Sequence, residues 1–354
     1  MIFVTGGCGF IGSNFILQWF ENCNEELLNI DKLTYAGNPE NLSSTQANPL
    51  YKFVKMDITS ADDLKMLFLK HKPRAVVHFA AESHVDRSIS GPFEFIHTNI
   101  IGTFQLLEET RRYWGQLDAN YQKNFRFLHV STDEVFGSLT AEEPAFSEKT
   151  AYAPNSPYSA SKASSDHLVR AYFHTYKLPT VTSNCSNNYG SYQFPEKLIP
   201  LCILNALQNK NLTIYGDGTN VRDWLYVTDH CHALRLILEK GRPGETYNVG
   251  GLNEMKNIEV VDALCKILDD LRPRKDGKSY LELKTFVRDR PGHDQRYAIN
   301  ADKIMHELDW KPQESFATGL SKTVNWYLQN ENWIANVTSG AYQEWIQKNY
   351  GDRT

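Results

Sequence analysis

The residues that could carry out chemistry lie near the middle of the sequence. Thr132 is followed at once by the acids Asp133 and Glu134. Further on, Tyr158 precedes Lys162 by four residues, which places the two side chains on one face of a helix. The lysine cation lowers the pKa of the phenol, so the phenolate can take a proton from a substrate hydroxyl while hydride leaves the same carbon. The pattern therefore indicates oxidation of an alcohol.

The two acids after Thr132 indicate a second kind of chemistry. Simple alcohol oxidation does not use them, whereas elimination of water needs one group that protonates the departing hydroxyl and another that removes a proton from carbon. Acids at this place could also cap the start of a helix. If Asp133 is the proton donor, it must hold its proton at neutral pH. We expect burial and the neighbouring Glu134 carboxylate to raise its pKa.

A dinucleotide site is indicated at the start of the chain. Glycines at positions 6, 9 and 12 lie between an apolar strand pattern and a helical pattern. In such a turn the glycines allow a tight bend, a close approach of a pyrophosphate and close helix packing, while the helix N-terminus supplies amide donors. Asp31 follows where its carboxylate would bind ribose hydroxyls and repel a 2′-phosphate. The sequence thus predicts NAD rather than NADP, although Lys32 could serve a phosphate.

The first half of the sequence alternates strand and helix patterns that could position these residues. Strand patterns lie at 2–5, 27–30, 52–56, 75–79, 125–130 and 180–184, and helical patterns at 13–20, 61–70, 93–113 and 158–176. Nearly continuous apolar strands are typical of a parallel sheet covered by helices on both faces. The alternation predicts an α/β, Rossmann-like fold with a doubly wound parallel sheet.

The second half is less regular and predicts a smaller, mixed α/β lobe that binds the substrate. We place an NAD-binding domain at 1–182 and the substrate lobe at 183–354, with some later segments returning to pack on the first domain. Open α/β sheets bind ligands at the carboxyl ends of their strands. We therefore expect the ligand cleft between the two lobes.

Composition narrows the class of protein. The 354 residues are 41% hydrophobic and 22% charged, with a formal net charge of −5, as in ordinary globular proteins. Lysines and arginines form no cluster, so we expect neither nucleic acid nor a membrane as partner.

The cysteines and histidines give little indication of a metal site. Six cysteines occur without a CxxC pair, which argues against a zinc site or a disulfide framework. His230 and His232 lack further ligand spacing and predict a helix start, so we expect no bound metal. Reduced cysteines, no signal-peptide pattern and no long apolar run lead us to expect a cytoplasmic protein.

These motifs together resemble a known family. A glycine-rich turn followed by serine or threonine, tyrosine and lysine resembles the extended branch of the short-chain dehydrogenase/reductase superfamily, which acts on nucleotide sugars. Within that branch the sequence is similar to the dTDP-glucose 4,6-dehydratases over nearly its whole length. The segments that carry this resemblance are 79–86 (FAAESHVD), 132–134 (TDE), 158–162 (YSASK), 187–190 (NNYG), 194–200 (FPEKLIP), 222–224 (RDW) and 289–293 (DRPGH). Ser191 and Gln193 depart from the proline and histidine that are usual in the family.

The resemblance implies conversion of dTDP-glucose into dTDP-4-keto-6-deoxyglucose and water by a hydro-lyase. C4 of the hexose would be oxidised by bound NAD, with Tyr158 as base, Lys162 tuning it and Thr132 bonding the C4 oxygen. Glu134 would then remove the C5 proton while Asp133 protonates the C6 hydroxyl. Hydride would return to C6, so the cofactor stays bound throughout.

The resemblance also assigns binding residues. The cofactor would contact Gly6, Gly9, Phe10, Ile11, Gly12, Asp31, Lys32, Leu33, Thr34, Asp57, Ile58, Phe79, Ala80, Ala81, Ser83, Thr98, Tyr158, Lys162 and Asn188. The substrate would contact Ser83, Thr132, Asn187, Lys197, Leu198, Tyr215, Arg222, Asn257, Arg290 and His293. Arg222 and Arg290 suit the diphosphate because guanidinium groups bind phosphate oxygens bidentately, although solvated surface arginines would give the same pattern. Asp57 could equally be an ordinary turn carboxylate.

Several alternatives remain open at this point. A UDP-glucose 4,6-dehydratase is one, since no motif distinguishes thymine from uracil. A 4-epimerase would not need the two acids after Thr132, and a catalytically silent NAD-binding regulatory protein would not need the catalytic set. By resemblance, the helical patterns at 93–113 and 158–176 form a four-helix homodimer interface. The deoxysugar pathway served, rhamnose or another, is not indicated.

Overall fold

A seven-stranded parallel sheet forms the centre of the protein, whose computed structural model describes residues 1–289 and 292–338. The strands of this sheet and of two smaller sheets, in chain order, are β1 (Ile2–Thr5), β2 (Leu27–Asp31), β3 (Tyr51–Lys55), β4 (Ala75–His78), β5 (Arg126–Thr132), β6 (Thr180–Cys185), β7 (Asn187–Tyr189), β8 (Leu212–Tyr215), β9 (Val221–Tyr226), β10 (Thr246–Val249), β11 (Glu254–Lys256) and β12 (Lys284–Val287).

Helices lie on both faces of this sheet and in the second lobe. They are α1 (Phe10–Asn22), α2 (Ala61–His71), α3 (Val85–Ser90), α4 (Pro92–Phe95), α5 (Thr103–Trp114), α6 (Ala119–Asn124), α7 (Pro157–Tyr176), α8 (Leu198–Leu207), α9 (Val227–Lys240), α10 (Asn257–Leu271), α11 (Asp302–Leu308), α12 (Phe316–Gln329) and α13 (Glu331–Val337). Within the described ranges, none is both long and apolar enough to cross a bilayer.

The order of the central strands brings the candidate residues to one edge. The order is β3-β2-β1-β4-β5-β6-β10, and every neighbouring pair is parallel. The order of the strands reverses between β1 and β4. Open α/β sheets bind ligands at the carboxyl ends of their strands beside such a switch point. Asp31 and Thr132 are the last residues of their strands, so both lie at this edge. The doubly wound, Rossmann-like sheet expected from the sequence is confirmed.

Burial on both faces explains the apolar strands. In β1, Ile2 and Val4 pack into a cluster with Phe15 of α1, while Phe3 packs into the opposite cluster with Phe68 of α2. Alternate side chains of one strand are thus removed from water by helices on either side, which is why the strand reads as a continuous apolar run.

The second lobe has its own core and is mixed, as expected. Its sheets are β11-β9-β7 and β12-β8, and only the β9–β11 pair among these is antiparallel. Helices α8, α10 and α12 cover them with a common apolar cluster. Two elements of the second half lie on the first: β10 pairs with β6, and α9 packs on α1.

The helical pattern at 93–113 folds differently from the expectation of one helix. It consists of α4, a π-helical turn at Ile96–Gly102 and α5. The buried Asn99 side chain accepts a hydrogen bond from the backbone of Glu82 and donates one to Ser161, each at 2.8 Å. Such a widened turn adjusts a helix to contacts with neighbouring segments, which periodicity in the sequence does not report.

Replacing Gly12 by alanine should destabilise the protein by about 1–3 kcal/mol, because an added Cβ would lie 2.4 Å from the carbonyl oxygen of Gly6 and force α1 away from the turn. Gly115→Ala is the matched control, since Gly115 has helical φ and ψ angles of −63° and −16° and its Cβ would come no closer than 3.3 Å to Arg111. Denaturant unfolding of both variants measures the difference. Equal stability of the two would contradict this account of the turn.

Candidate active site

The glycine-rich turn between β1 and α1 forms a close-fitting cradle. Gly6 has a φ of +72°, and a Cβ there would lie 2.6 Å from the backbone nitrogen of Ala80. No side chain other than hydrogen fits between the turn and the end of β4. Helix α1 begins at Phe10, so its first amides and the positive end of its dipole face the cavity beside the turn. The arrangement suits a pyrophosphate.

Two backbone hydrogen bonds fix the side chain of Asp31 at the end of β2. Its carboxylate accepts hydrogen bonds from the backbone nitrogens of Cys8, at 2.9 Å, and Leu33, at 2.8 Å. Burial raises the pKa of Asp31, and these two hydrogen bonds act in the opposite direction. The neighbouring Lys32 forms an ion pair of 2.7 Å with Asp57. Because that lysine is already neutralised, the site does not offer it freely to a 2′-phosphate.

A first cavity runs along the carboxyl edge of the central sheet from this turn to Lys162. It is lined by eighteen of the predicted cofactor residues: Gly6, Gly9, Phe10, Ile11, Gly12, Asp31, Lys32, Thr34, Asp57, Ile58, Phe79, Ala80, Ala81, Ser83, Thr98, Tyr158, Lys162 and Asn188. Leu33 is not among the lining residues, because its side chain packs against the apolar core under α1.

The two acids lie on a short turn that follows β5. Thr132, the last residue of the strand, caps this 3₁₀ turn by accepting a hydrogen bond from the backbone nitrogen of Glu134 at 3.3 Å. The threonine therefore does the capping, and neither acid is needed for it. Asp133 is 1% exposed and lines the first cavity with Glu134.

The surroundings of the Asp133 carboxyl favour its protonated form. Burial, the Glu134 carboxylate and Asp223 raise its pKa well above the ordinary value, against a smaller lowering by Arg222. One carboxyl oxygen of Asp133 lies 3.5 Å from the Thr132 hydroxyl, and the other has no hydrogen-bond partner among the described residues. A buried acid of this kind suits a ligand hydroxyl. The burial and Glu134 effects expected from the sequence are both present.

Tyr158 and Lys162 lie one turn apart at the start of α7, which Ser156 caps. Both side chains are buried and line the first cavity. Burial, and then Glu134, raise the pKa of Tyr158 well above its usual value, while a hydrogen bond with Thr132 opposes this. The sequence predicted that Lys162 would lower the pKa of Tyr158. In the structure the pKa is raised instead, because the phenolate is removed from water.

The buried Lys162 is supported by a network around Asp166. Lys162 donates a 2.9 Å hydrogen bond to the carbonyl oxygen of Val130, and burial lowers its pKa while the Asp166 carboxylate opposes this. Asp166 in turn accepts hydrogen bonds from Ser131 at 2.8 Å and Tyr152 at 2.9 Å, and it lies 3.0 Å from the ring of His129. The network supplies a fixed counter-charge for the lysine.

A second cavity joins the first at Glu134 and extends into the second lobe. Eight predicted substrate residues line one or both cavities there: Asn187, Lys197, Leu198, Tyr215, Arg222, Asn257, His293 and, in the first cavity, Ser83. Thr132 lies at the first cavity as described above. Arg290 lies outside the described residues.

Arg222 is a buried side chain rather than a solvated surface arginine. Its guanidinium donates to the carbonyl oxygen of Asp294 at 2.8 Å and lies 4.2 Å from the ring centre of Tyr297. His293 is oriented by Asp289, whose carboxylate lies 2.6 Å from its Nδ1 atom. These contacts fix positive and polar groups at the wall of the second cavity.

Some site residues were not found by sequence reasoning. Glu82, Ser186, Phe194 and Glu196 also line the first cavity. The segment 194–200 carried the signal for two of them, but only its lysine and leucine were assigned roles. The departing residue Gln193 lines both cavities and donates a 2.9 Å hydrogen bond to the carbonyl oxygen of Asn188.

The histidines near the start of α9 contribute differently. His230 is buried, and its Nδ1 atom lies 2.9 Å from the side-chain oxygen of Asn188, which lines the first cavity. In the ranges that the structure describes, no three His, Cys, Asp or Glu side chains are grouped so as to hold a metal ion. His230 thus acts as a support for Asn188.

Comparison with known proteins gives consistent matches. A family profile described as GDP-mannose 4,6 dehydratase matches residues 3–323. The dTDP-glucose 4,6-dehydratase of Shigella flexneri is 57% identical over 360 residues, covering 99% of each chain. Two solved dTDP-glucose 4,6-dehydratases each cover 95% of this chain and 99% of their own: that of Bacillus anthracis in complex with NAD, at 46% identity and a TM-score of 0.84, and that of Streptomyces venezuelae with NAD and a second ligand, at 43% and 0.86.

Asp133→Asn should stabilise the fold, increasingly so as the pH rises. In the unfolded chain an aspartate ionises at about pH 3.9, whereas the folded protein holds this pKa well above that value. Between the two pKa values folding must bind a proton, which costs about 1.4 kcal/mol per pH unit. Asparagine has the same size and no such cost. Unfolding measured at about pH 5 and about pH 8 should show the larger gain at the higher pH; a gain independent of pH would contradict the raised pKa.

Proposed function

The chain belongs to the dTDP-glucose 4,6-dehydratase family, and from this membership we propose that it binds NAD and converts dTDP-glucose into dTDP-4-keto-6-deoxyglucose and water. The observation that carries the proposal is the buried acid Asp133 beside Glu134, where the two cavities join. Neither alcohol oxidation nor epimerisation has a step that needs a proton donor of this kind. The enzyme would be a hydro-lyase.

The cofactor cavity fits NAD. The cradle at Gly6, which any Cβ would fill, leaves backbone amides for a pyrophosphate, and Asp31 presents a carboxylate where ribose hydroxyls would lie. When bound, NAD supplies a positively charged ring that accepts a hydride from the sugar and later returns it, so there is no net redox change. The carboxylate of Asp31 would repel a 2′-phosphate, which favours NAD over NADP.

In the first step Tyr158 would take the proton of the C4 hydroxyl. Thr132 would donate a hydrogen bond to the C4 oxygen, and Lys162 would hold positive charge below the phenol. Because burial and Glu134 favour the neutral phenol, the phenolate depends on positive charge close to it. The step leaves a ketone at C4, which makes the hydrogen at C5 acidic.

In the second step the two acids would act in opposite senses. Glu134 would remove the C5 proton, and Asp133 would protonate the C6 hydroxyl, so that water leaves across C5 and C6. After hydride returns to C6, Glu134 would give its proton back to C5. Tyr158 then has one proton more and Asp133 one fewer than at the start, so one proton must pass between them to reset the site.

The second cavity would hold the nucleotide diphosphate, with Arg222 and Lys197 supplying positive charge at its wall. A cytoplasmic location stays a prediction from the sequence, which does not indicate the deoxysugar pathway served.

A homodimer is also part of the proposal. Large apolar side chains are exposed on the segment from α3 to α5: Ile89, Phe93, Ile96, Ile101 and Phe104, of which Phe93 is 69% exposed. Several exposed apolar side chains on one segment are typical of a protein–protein contact. Since a symmetric interface pairs the same surface with itself, a second copy of this chain suits it.

Incubation with dTDP-glucose and UDP-glucose separately, without added NAD, tests the activity. We expect a nucleotide sugar that has lost one water, detected by mass spectrometry, and a higher kcat/KM for dTDP-glucose. An isomer of unchanged mass would indicate an epimerase, a preference for UDP-glucose would indicate the uridine enzyme, and no product from either sugar would contradict the proposal.

In the same assay Asp133→Asn should lower turnover by roughly 10²-fold or more, because elimination loses its proton donor. C4 oxidation should persist and give transient absorbance of the reduced cofactor. Asp62→Asn, at the start of α2, is the control and should behave as the parent protein.

Phe93→Asp should convert a dimer into a monomer, because it places a charge in the apolar surface. The control is Phe286→Asp, which changes another exposed phenylalanine, on β12, and should leave the dimer intact. Light scattering coupled to size exclusion measures the mass. A monomeric parent protein would contradict the dimer.

A further inference from the structure

The side chains of Tyr35 and Arg87 both bond to Glu196, and we call these three residues the Glu196 clasp. Glu196 accepts hydrogen bonds of 3.0 Å from the Tyr35 hydroxyl and from Nε of Arg87. The Arg87 guanidinium lies 3.6 Å from the centre of the Tyr35 ring. Phe194 packs on the same ring edge-to-face, with centroids 5.5 Å apart. The clasp consists of Tyr35, Arg87 and Glu196.

The clasp connects two walls of the first cavity. Thr34, Ala36 and Gly37 on either side of Tyr35 line that cavity, and so do Phe194 and Glu196 in the second half of the chain. Tyr35 follows Asp31 by four residues, which places the clasp beside the ribose end of the cavity. The segment that follows β2 is therefore bonded, through Tyr35, to a part of the cavity wall that comes from the second half of the chain.

The contacts of the clasp are built into the protein. The Glu196 side chain is 2% exposed, and the Arg87 side chain is 23% exposed. Hydrogen bonds to an ionised carboxylate are strongest where water is excluded, and losing one partner leaves a buried charge less well compensated. A second bond ties the same second-half segment to another part of the cavity wall, since Lys197 donates to the carbonyl oxygen of Ser83, after β4, at 3.0 Å.

The same three residue types meet elsewhere in the molecule without a cavity. The Tyr247 hydroxyl donates to Glu307 at 3.0 Å, and Arg242 forms an ion pair with the same carboxylate. None of these three residues lines either cavity. This second triad, Arg242, Tyr247 and Glu307, connects β10 to α11 away from both cavities. It therefore serves as a control for the effect of such contacts on the fold alone.

We propose that the Glu196 clasp retains the dinucleotide between turnovers, because the cofactor cannot leave its ribose end until the bond between Tyr35 and Glu196 breaks. The inference rests on the proposed function: a cofactor that regains its oxidised form in every cycle has no need to exchange. Tyr35, Arg87 and Glu196 are positioning residues, since they act on the chain that covers the cofactor.

Exchange of labelled NAD from the purified holoenzyme into an excess of unlabelled NAD measures retention directly. Tyr35→Phe keeps the ring and removes the hydrogen bond to a buried carboxylate, so NAD release should be at least about tenfold faster than from the parent protein. Tyr247→Phe, which removes a bond of the same length from the second triad, should leave the release rate unchanged. Arg87→Lys provides a second variant of the clasp and should also release NAD faster.

Equal release rates for the parent protein and Tyr35→Phe would overturn the inference. So would an equal acceleration by Tyr247→Phe, since that would reflect general loosening of the fold. The exchange assay does not depend on dehydration. If the clasp variants release NAD faster but the parent protein dehydrates no sugar, the proposed function is refuted and the clasp is still supported. If Tyr35→Phe turns over slowly without added NAD and at the parent rate at saturating NAD, both are supported.

Discussion

The removal of one carboxyl group, that of Asp133, from water is the constraint on which much of the surrounding structure depends. Asp133 is buried at the end of β5, in the first half of the chain, but Arg222 and Asp223, which help to set its pKa, lie on β9 in the second half. Asp223 is itself buried and accepts hydrogen bonds from the backbone nitrogens of Gly251 and Asn253. The acid therefore acquires its character only when the two lobes pack together and exclude water.

The same exclusion of water places the opposite demand on Lys162. Low polarizability favours the neutral form of every ionisable group, so it raises the pKa of Asp133 and lowers that of Lys162. The two groups differ in their neighbours. The carboxylates of Glu134 and Asp223 act on Asp133, whereas Asp166 and its hydrogen-bond donors act on Lys162. One enclosed site thus contains both a carboxyl group whose pKa is raised and a lysine that has a carboxylate beside it.

Local spacing made several parts of the site predictable. The glycine-rich turn, Asp31, the two acids after Thr132 and the Tyr158 and Lys162 pair depend on residues that are close in sequence, and each lies at the cavity. Contacts over long distances in the sequence were not predictable in this way. Tyr35 and Glu196 are 161 residues apart. The π-helical turn at Ile96–Gly102 contains Asn99, whose side chain bonds to segments that are distant in the sequence.

The alternation of strands and helices, the apolar strands and the side-chain types at the strand ends can all be read from the amino-acid sequence alone. These depend on neighbours along the chain, through backbone geometry and the hydrophobic period. Three features depend on the packing of distant segments: the raised pKa of Asp133, the ion pair between Lys32 and Asp57, and the bond between Tyr35 and Glu196. Burial and charge interactions act through space, so they are established only when distant segments of the chain come together.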